Sequence, residues 1–259
     1  MGEVGLGLGV GGEEVIGTEL GGGQADLLAS QGLKAVGQFV PVVLHDPGHD
    51  PLPGVERAME GLASTVVLAA ATGQEGYDAR PVLDDTGWQT LLGNLDRLRE
   101  AAAARGLTAT LHPHVGTMVE SGEETDRVLA GSSIGLCLDT GHLLIGGGDP
   151  VAVAKSQPGR IAHTHLKDVR LDWARKVQSG EATYTEAVAG GMYVPLGEGD
   201  VDIAAIVNAL EDDGYAGWYV LEQDTILPGE PEGAGPVDDV RTSLYYLLGV
   251  AGQRSGVGV

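Results

Sequence analysis

The sequence predicts an α/β fold, a (β/α)8 or TIM barrel with a shortened or irregular first β-α unit. Three observations predict it. Apolar runs of strand length alternate with amphipathic helical runs along the chain, eight strand-like runs can be counted, and 259 residues with 42% hydrophobic content suit one large domain over 1–259. Near-continuous apolar strands between helices belong to a parallel sheet covered by those helices. No G-x-G-x-x-G stands between a strand and a helix with an acidic residue about 20 positions on, so a dinucleotide-binding sheet has little support.

The start of the chain is irregular. In its first 23 residues glycine recurs at nearly every second position. Val4 to Val10 reads as a first strand and Ile16 to Leu20 as a second, yet only Gly11 to Val15 lies between them. A parallel crossover needs about a dozen residues, normally a helix, so the first unit reads as incomplete.

From Gln24 the rhythm is regular. A short helix at Gln24 to Gln31 precedes a strand at Lys34 to Leu44 and a helix at Pro51 to Ala63. Thr65 to Ala71 is a strand, and Thr86 to Arg105 is a long amphipathic helix closed by Gly106. Thr108 to His114 is the next strand, followed by a helix at Glu123 to Ala130 and a strand at Ile134 to Asp139. A helix at Asp149 to Ser156 leads to a strand at Ile161 to Lys167. Leu171 to Gly191 is a helical or irregular insertion, Val201 to Asp213 a helix begun by Asp200, and Trp218 to Glu222 the last strand. A helix at Val237 to Val250 ends the series, and nowhere does the order break into hairpins.

Charge and cysteine content narrow the function. With 15 basic against 37 acidic residues the formal charge is -22, which argues against nucleic acid and anionic membrane surfaces as partners. Cys137 is the single cysteine, set in an apolar strand, and reads as a small buried filler in a reducing cytoplasm. No apolar run approaches the roughly 20 residues of a membrane span, and the Gly-rich start does not read as a signal peptide.

In such a barrel the active groups stand at the C-terminal ends of strands. Five of these ends are polar: Glu19, His112 with His114, Asp139 with His142, His163 with His165, and Glu222 with Asp224. Alternation along a strand puts Gly135, Cys137 and Asp139 on one face and His163, His165 and Lys167 on one face of theirs. Imidazoles and carboxylates without thiolate suit Mn, Co, Fe or Zn with positions left for substrate. Taken singly, each residue has a duller role: Asp139 as a loop cap, Glu19 as a helix cap, Lys167 in a salt bridge with Asp168, Glu198 or Asp200 as an N-cap.

At these residues the sequence resembles the sugar phosphate isomerase/epimerase superfamily, the xylose-isomerase-like TIM barrels, and within it the inosose (2-keto-myo-inositol) dehydratases. The motifs are G-T-E-L-G at 17 to 21, H-P-H-V-G-T at 112 to 117, L-D-T-G-H at 138 to 142, H-T-H-L-K-D at 163 to 168, L-G-E-G-D-V-D at 196 to 202 and G-Y-A-G-W-Y-V-L-E-Q-D at 214 to 224. The superfamily holds its metal with Glu, Asp, His and Glu. Asp139, His165 and Glu222 match three positions, while the strand that should end in the first Glu ends in Leu111-His112-Pro113-His114. The resemblance thus implies a metal site of His112, Asp139, His165 and Glu222, with His114 the other reading of the first ligand. It implies catalytic roles for Glu19, Lys167, His142 and His114.

The implied cofactor is a divalent metal, Mn or Co first, then Mg, Fe or Zn; no organic cofactor is implied. The implied activity is that of a lyase dehydrating a keto-inositol or similar keto-polyol, by metal-assisted enolisation and loss of a β-hydroxyl. The alternatives are a ketosugar isomerase/epimerase, a C-glycoside deglycosidase subunit, and a catalytically silent sugar-binding barrel. Its partner would be a small-molecule substrate, in the cytoplasm, with a homo-oligomer as the superfamily's precedent.

Overall fold

The computed structural model describes residues 4–6, 36–60, 64–78, 80–227, 229 and 235–255. The expected strand at Ile16 to Leu20, the helix at Gln24 to Gln31 and Glu19 itself lie outside the described residues. In chain order the elements are β1 (Val4–Leu6), β2 (Gly37–Val42), α1 (Leu52–Ala58), β3 (Thr65–Ala70), α2 (Asp85–Ala103), β4 (Thr108–Leu111), α3 (Gly122–Gly131) and β5 (Gly135–Asp139). They continue with α4 (Thr140–Ile145), α5 (Pro150–Ser156), a 3-10 turn (Pro158–Arg160), β6 (Ile161–Leu166), β7 (Asp168–Val169), α6 (Leu171–Ser179), α7 (Tyr184–Ala189), β8 (Tyr193–Val194), α8 (Ile203–Asp212), β9 (Tyr219–Leu221) and α9 (Val237–Ser255).

The chain divides into two compact units, one drawn from Val15–Cys137 and the other from Met1–Glu14 with Leu138–Val259. In the first, β2, β3, β4 and the start of β5 pair in parallel. β3 is buried along its whole length, as a strand flanked on both edges and both faces must be. The register sets Pro41 against Ala69, and Thr110 against Gly135. Continued by one residue, the register sets His112, which follows β4, beside Ala69 and Cys137. Helix α2 covers this sheet with Trp88, Leu91, Leu95, Leu98 and Ala102, a buried stripe at helical spacing. Asp84 caps it, accepting from the Gly87 N–H at 2.8 Å, and Gly106 follows its end at φ +72°.

In the second unit β9 pairs in parallel with both β1 and β6. Three sequence expectations bear on this unit. Of the seven residues expected as a first strand, Val4–Leu6 form β1, and residues 7–10 lie outside the described residues. The loop that Asp139 is expected to cap is a helix, α4, too short for any periodic signal. The insertion after β6 forms α6 and α7, and β8 returns to pair antiparallel with β7, so the order does contain one antiparallel pair. Asp202, not Asp200, caps α8, accepting from the Ala205 N–H at 2.9 Å; Asp200 instead accepts from the Leu171 N–H at 2.7 Å.

Candidate metal and proton-transfer site

Asp139 is the pivot of the second unit, because its two oxygens face different groups. Oδ1 accepts from the backbone N–H groups of Gly141 and His142 at 2.9 and 2.8 Å, which starts α4 at the last residue of β5. Oδ2 is turned toward Lys167 Nζ, 3.3 Å away, and lies 3.7 Å from His165 Nδ1. The cap and the candidate ligand, which the sequence presents as rival readings, are two atoms of one carboxylate.

Strand β6 supplies His165 and, just beyond its end, Lys167, two residues apart and so on the same face. Glu222 follows β9 and places Oε2 at 2.9 Å from His165 Nδ1 and 3.3 Å from Lys167 Nζ. One donor atom from each of Asp139, His165 and Glu222 lies within 4.8 Å of the other two. Two carboxylate oxygens and an imidazole nitrogen at that spacing fit a divalent cation of the Mn, Co, Zn or Mg type.

Lys167 is buried, and its ammonium meets four acceptors: Asp139 Oδ2, Glu222 Oε2, Asp224 Oδ2 at 3.2 Å and His142 Nε2 at 3.0 Å. Burial alone would lower its pKa, but Asp139, then Asp224 and Glu222, outweigh that and hold it well above the ordinary lysine value. With its three carboxylate neighbours free of metal, Lys167 therefore holds its proton. Its partner Glu222 is held well below the usual carboxylate range: burial opposes this, and the charges of Lys167 and His165 overcome it. Since an ammonium only donates, His142 Nε2 accepts from it and the ring carries its proton on Nδ1.

The backbone around Lys167 is fixed at both ends. Thr140 Oγ1 donates to the Lys167 carbonyl at 2.6 Å and accepts from the Lys167 N–H at 2.8 Å. Gly141 has to be glycine: an added Cβ would stand 2.8 Å from Lys167 Cβ and 3.0 Å from Tyr193 Cε1. Asp168 does not pair with Lys167. It accepts from the N–H groups of Val169, Gly197, Gly199 and Val201 at 2.8 to 3.0 Å, tying the 197–201 loop to the end of β6.

In the other unit His112 and His114 stand after β4 with ring centroids 5.2 Å apart. Phe39, the one phenylalanine of the chain, meets His112 edge-on at 5.7 Å and His114 at 5.8 Å. His114 Nδ1 is engaged by the Val115 carbonyl at 2.7 Å. A ring nitrogen of His112 and Sγ of Cys137 lie within 4.8 Å. Tyr184 and Tyr193, which line the Lys167 cluster, carried no signal of that role in the sequence. The T-Y-T-E capping box places Tyr184 at a helix start, and nothing local tells which way it faces.

A family model described as the xylose isomerase-like TIM barrel matches residues 25–243. The chain belongs to this family. Among curated relatives, it is 33% identical over 179 residues to the inosose dehydratase of Geobacillus thermodenitrificans (strain NG80-2), covering 68% of this chain and 59% of that protein. It is 38% identical over 180 residues to the rhizopine catabolism protein MocC of Rhizobium meliloti, covering 68% of this chain and 54% of that one. The chain thus spans little more than half the length of these relatives. Among solved structures, the IolI protein with a bound zinc atom superposes with TM-score 0.62 at 18% identity, covering 88% of this chain and 81% of that one. The 3-keto-D-glucoside 4-epimerase YcjR of E. coli superposes with TM-score 0.61 at 19% identity, covering 86% and 82%. The TIM-barrel fold expected from the alternation of elements is the fold of this family. Among the described residues, no helix is long and apolar enough to cross a membrane.

Proposed function

We propose that this chain is one barrel domain that dehydrates a keto-inositol or related keto-polyol, with a divalent metal held by His112, Asp139, His165 and Glu222. The observation that carries the reading is the Lys167 ammonium, fixed 3.3 Å from an oxygen of each of two carboxylates that stand beside His165. An N/O donor set next to an ammonium and an imidazole with an accepting Nε2 offers the charge stabilisation and the base that removal of a proton next to a carbonyl requires. His112 enters through strand geometry. It stands beside Cys137, and Cys137 shares a face of β5 with Asp139. The inosose dehydratase relatives support the substrate class. The family model runs through the boundary at residue 137 without a break, which supports one domain.

The metal, Mn or Co by the donor set, would polarise a ketone oxygen and so acidify the neighbouring C–H. Lys167 would hold the charge that develops on that oxygen, a role suited to a group that keeps its proton. His142 would move a proton at Nε2, the atom that now accepts from Lys167. Glu19 enters as a second acid or base on the resemblance alone, and His114 as the group facing the departing hydroxyl. A ketosugar epimerase would use the same residues and return the proton to carbon, and the epimerases among the superposed structures favour it as the second reading. A cytoplasmic setting fits the lone buried cysteine.

The test is to load the protein with Mn or Co and incubate it with a keto-inositol in D2O. Loss of water is expected, with deuterium entering at the carbon that bore the departing hydroxyl, because the α-carbon gives up its proton and becomes part of the enol. Deuterium entry at the α-carbon without water loss would assign an epimerase instead, and neither would leave a silent sugar-binding barrel.

A further inference from the structure

The excursion between β7 and β8 reaches back into the site through two phenols. Tyr184, the first residue of α7, is buried and donates to Asp224 Oδ2 at 3.1 Å. Its oxygen lies 3.0 Å from that of Tyr193, on β8. A phenol has one proton. Tyr184 spends its proton on Asp224, so Tyr193 must be the donor between the two hydroxyls. The chain therefore has a single direction, from Tyr193 to Tyr184 to Asp224, and the same Asp224 oxygen accepts from Lys167. Burial and the neighbouring carboxylate charges push both phenols well above the ordinary tyrosine pKa, so both keep the protons this direction needs.

Lys167 Nζ hydrogen-bonds His142 Nε2 and Asp224 Oδ2 and stands in ion-pair contact, at 3.3 Å, with Asp139 Oδ2 and Glu222 Oε2. Where the ammonium stands among these groups depends on how firmly each of them is placed. Asp139 is fixed by its backbone cap and Glu222 directly follows β9, whereas Asp224 lies two residues further along, in irregular chain. The Tyr184 hydroxyl is what holds the Asp224 oxygen within reach of the ammonium.

We propose that Tyr184 is a positioning residue: by fixing Asp224 it sets where the Lys167 ammonium stands relative to Asp139, Glu222 and His142, and so makes the excursion part of the active centre. The kinetic consequence rests on the metal-dependent reading above; the structural one does not.

The test is Y184F, which removes one oxygen and keeps the ring that lies 5.8 Å from His142. In a crystal structure of the metal-free variant, Asp224 Oδ2 is expected to leave Lys167 Nζ, the separation growing beyond hydrogen-bond range. In the metal-loaded enzyme kcat should fall about 10- to 100-fold, the scale of one hydrogen bond to a charged group, with KM within about twofold. A retained Asp224–Lys167 contact overturns the proposal, as does an unchanged kcat. A fall in kcat that comes with a lowered Tm and a raised KM overturns it too, since that marks a merely structural residue. If Y184F does not fold, Y193F removes the next donor along and must move Asp224 in the same direction by less. Absence of turnover in the wild-type protein would sink the dehydratase and epimerase readings and leave the crystallographic result to decide this one.

Discussion

The two oxygens of Asp139 can be separated by substitution. Asp139→Asn keeps an acceptor for the Gly141 and His142 N–H groups but turns an amide N–H2 toward Lys167, a donor facing a donor. Asp139→Ala removes both. Isothermal titration should therefore find metal uptake lost in both variants. Urea unfolding should find the alanine variant less stable than the asparagine one by about 1 kcal/mol, the usual worth of a helix cap. Equal stabilities would mean that the cap contributes nothing. The sequence makes Asp139, His165, Glu222 and Lys167 legible as a group, because each follows or ends an apolar strand and strand ends are where a barrel gathers function. It could not assign the charge of Lys167, which depends on three carboxylates from separate stretches of the chain.

At the level of elements, α3 shows how a terminus can be tied to a distant loop. Its capping box joins Ser121 and Glu124, and Glu124 Oε1 also takes the Arg80 guanidinium at 2.6 Å. Burial would raise the Glu124 pKa, but the Arg80 hydrogen bond and the N–H groups of Ser121 and Glu120 lower it on balance. A folded-state pKa below the unfolded value of ~4.3 gives stability that is present above that pH and lost as pH falls through the folded value. Glu124→Gln retains the capping oxygen and loses the charge. It should cost about 1 kcal/mol at pH 7, and the difference from wild type should close on acidification, as read from denaturant melts at pH 7 and pH 3. A difference that persists at pH 3 would assign the loss to the cap. Strands and long helices were readable because their periods differ and their caps are local. Helix α4 was not, since six residues opened by a buried carboxylate look like a turn. Nor was the β7–β8 pair, two residues on each side, whose pairing is decided by the clamp of Asp168 on the 197–201 loop.

On the scale of the molecule, a ligand that binds only the folded state stabilises it by mass action. Mn or Co at 100 times its dissociation constant should add about 2.7 kcal/mol, which for a chain of this size raises Tm by roughly 5–10 °C. Differential scanning fluorimetry with and without a chelator reads this directly, and Asp139→Asn should show no shift. A rise of the same size in that variant would place the metal elsewhere.

The β7–β8 ladder sets Val169 opposite Tyr193, so residues 170–192 depart and return at neighbouring strand positions, about 5 Å apart. A segment anchored at both ends in this way can lengthen or shorten with little change in closure entropy. It is therefore a natural graft point, provided that any replacement keeps a phenol where Tyr184 donates to Asp224.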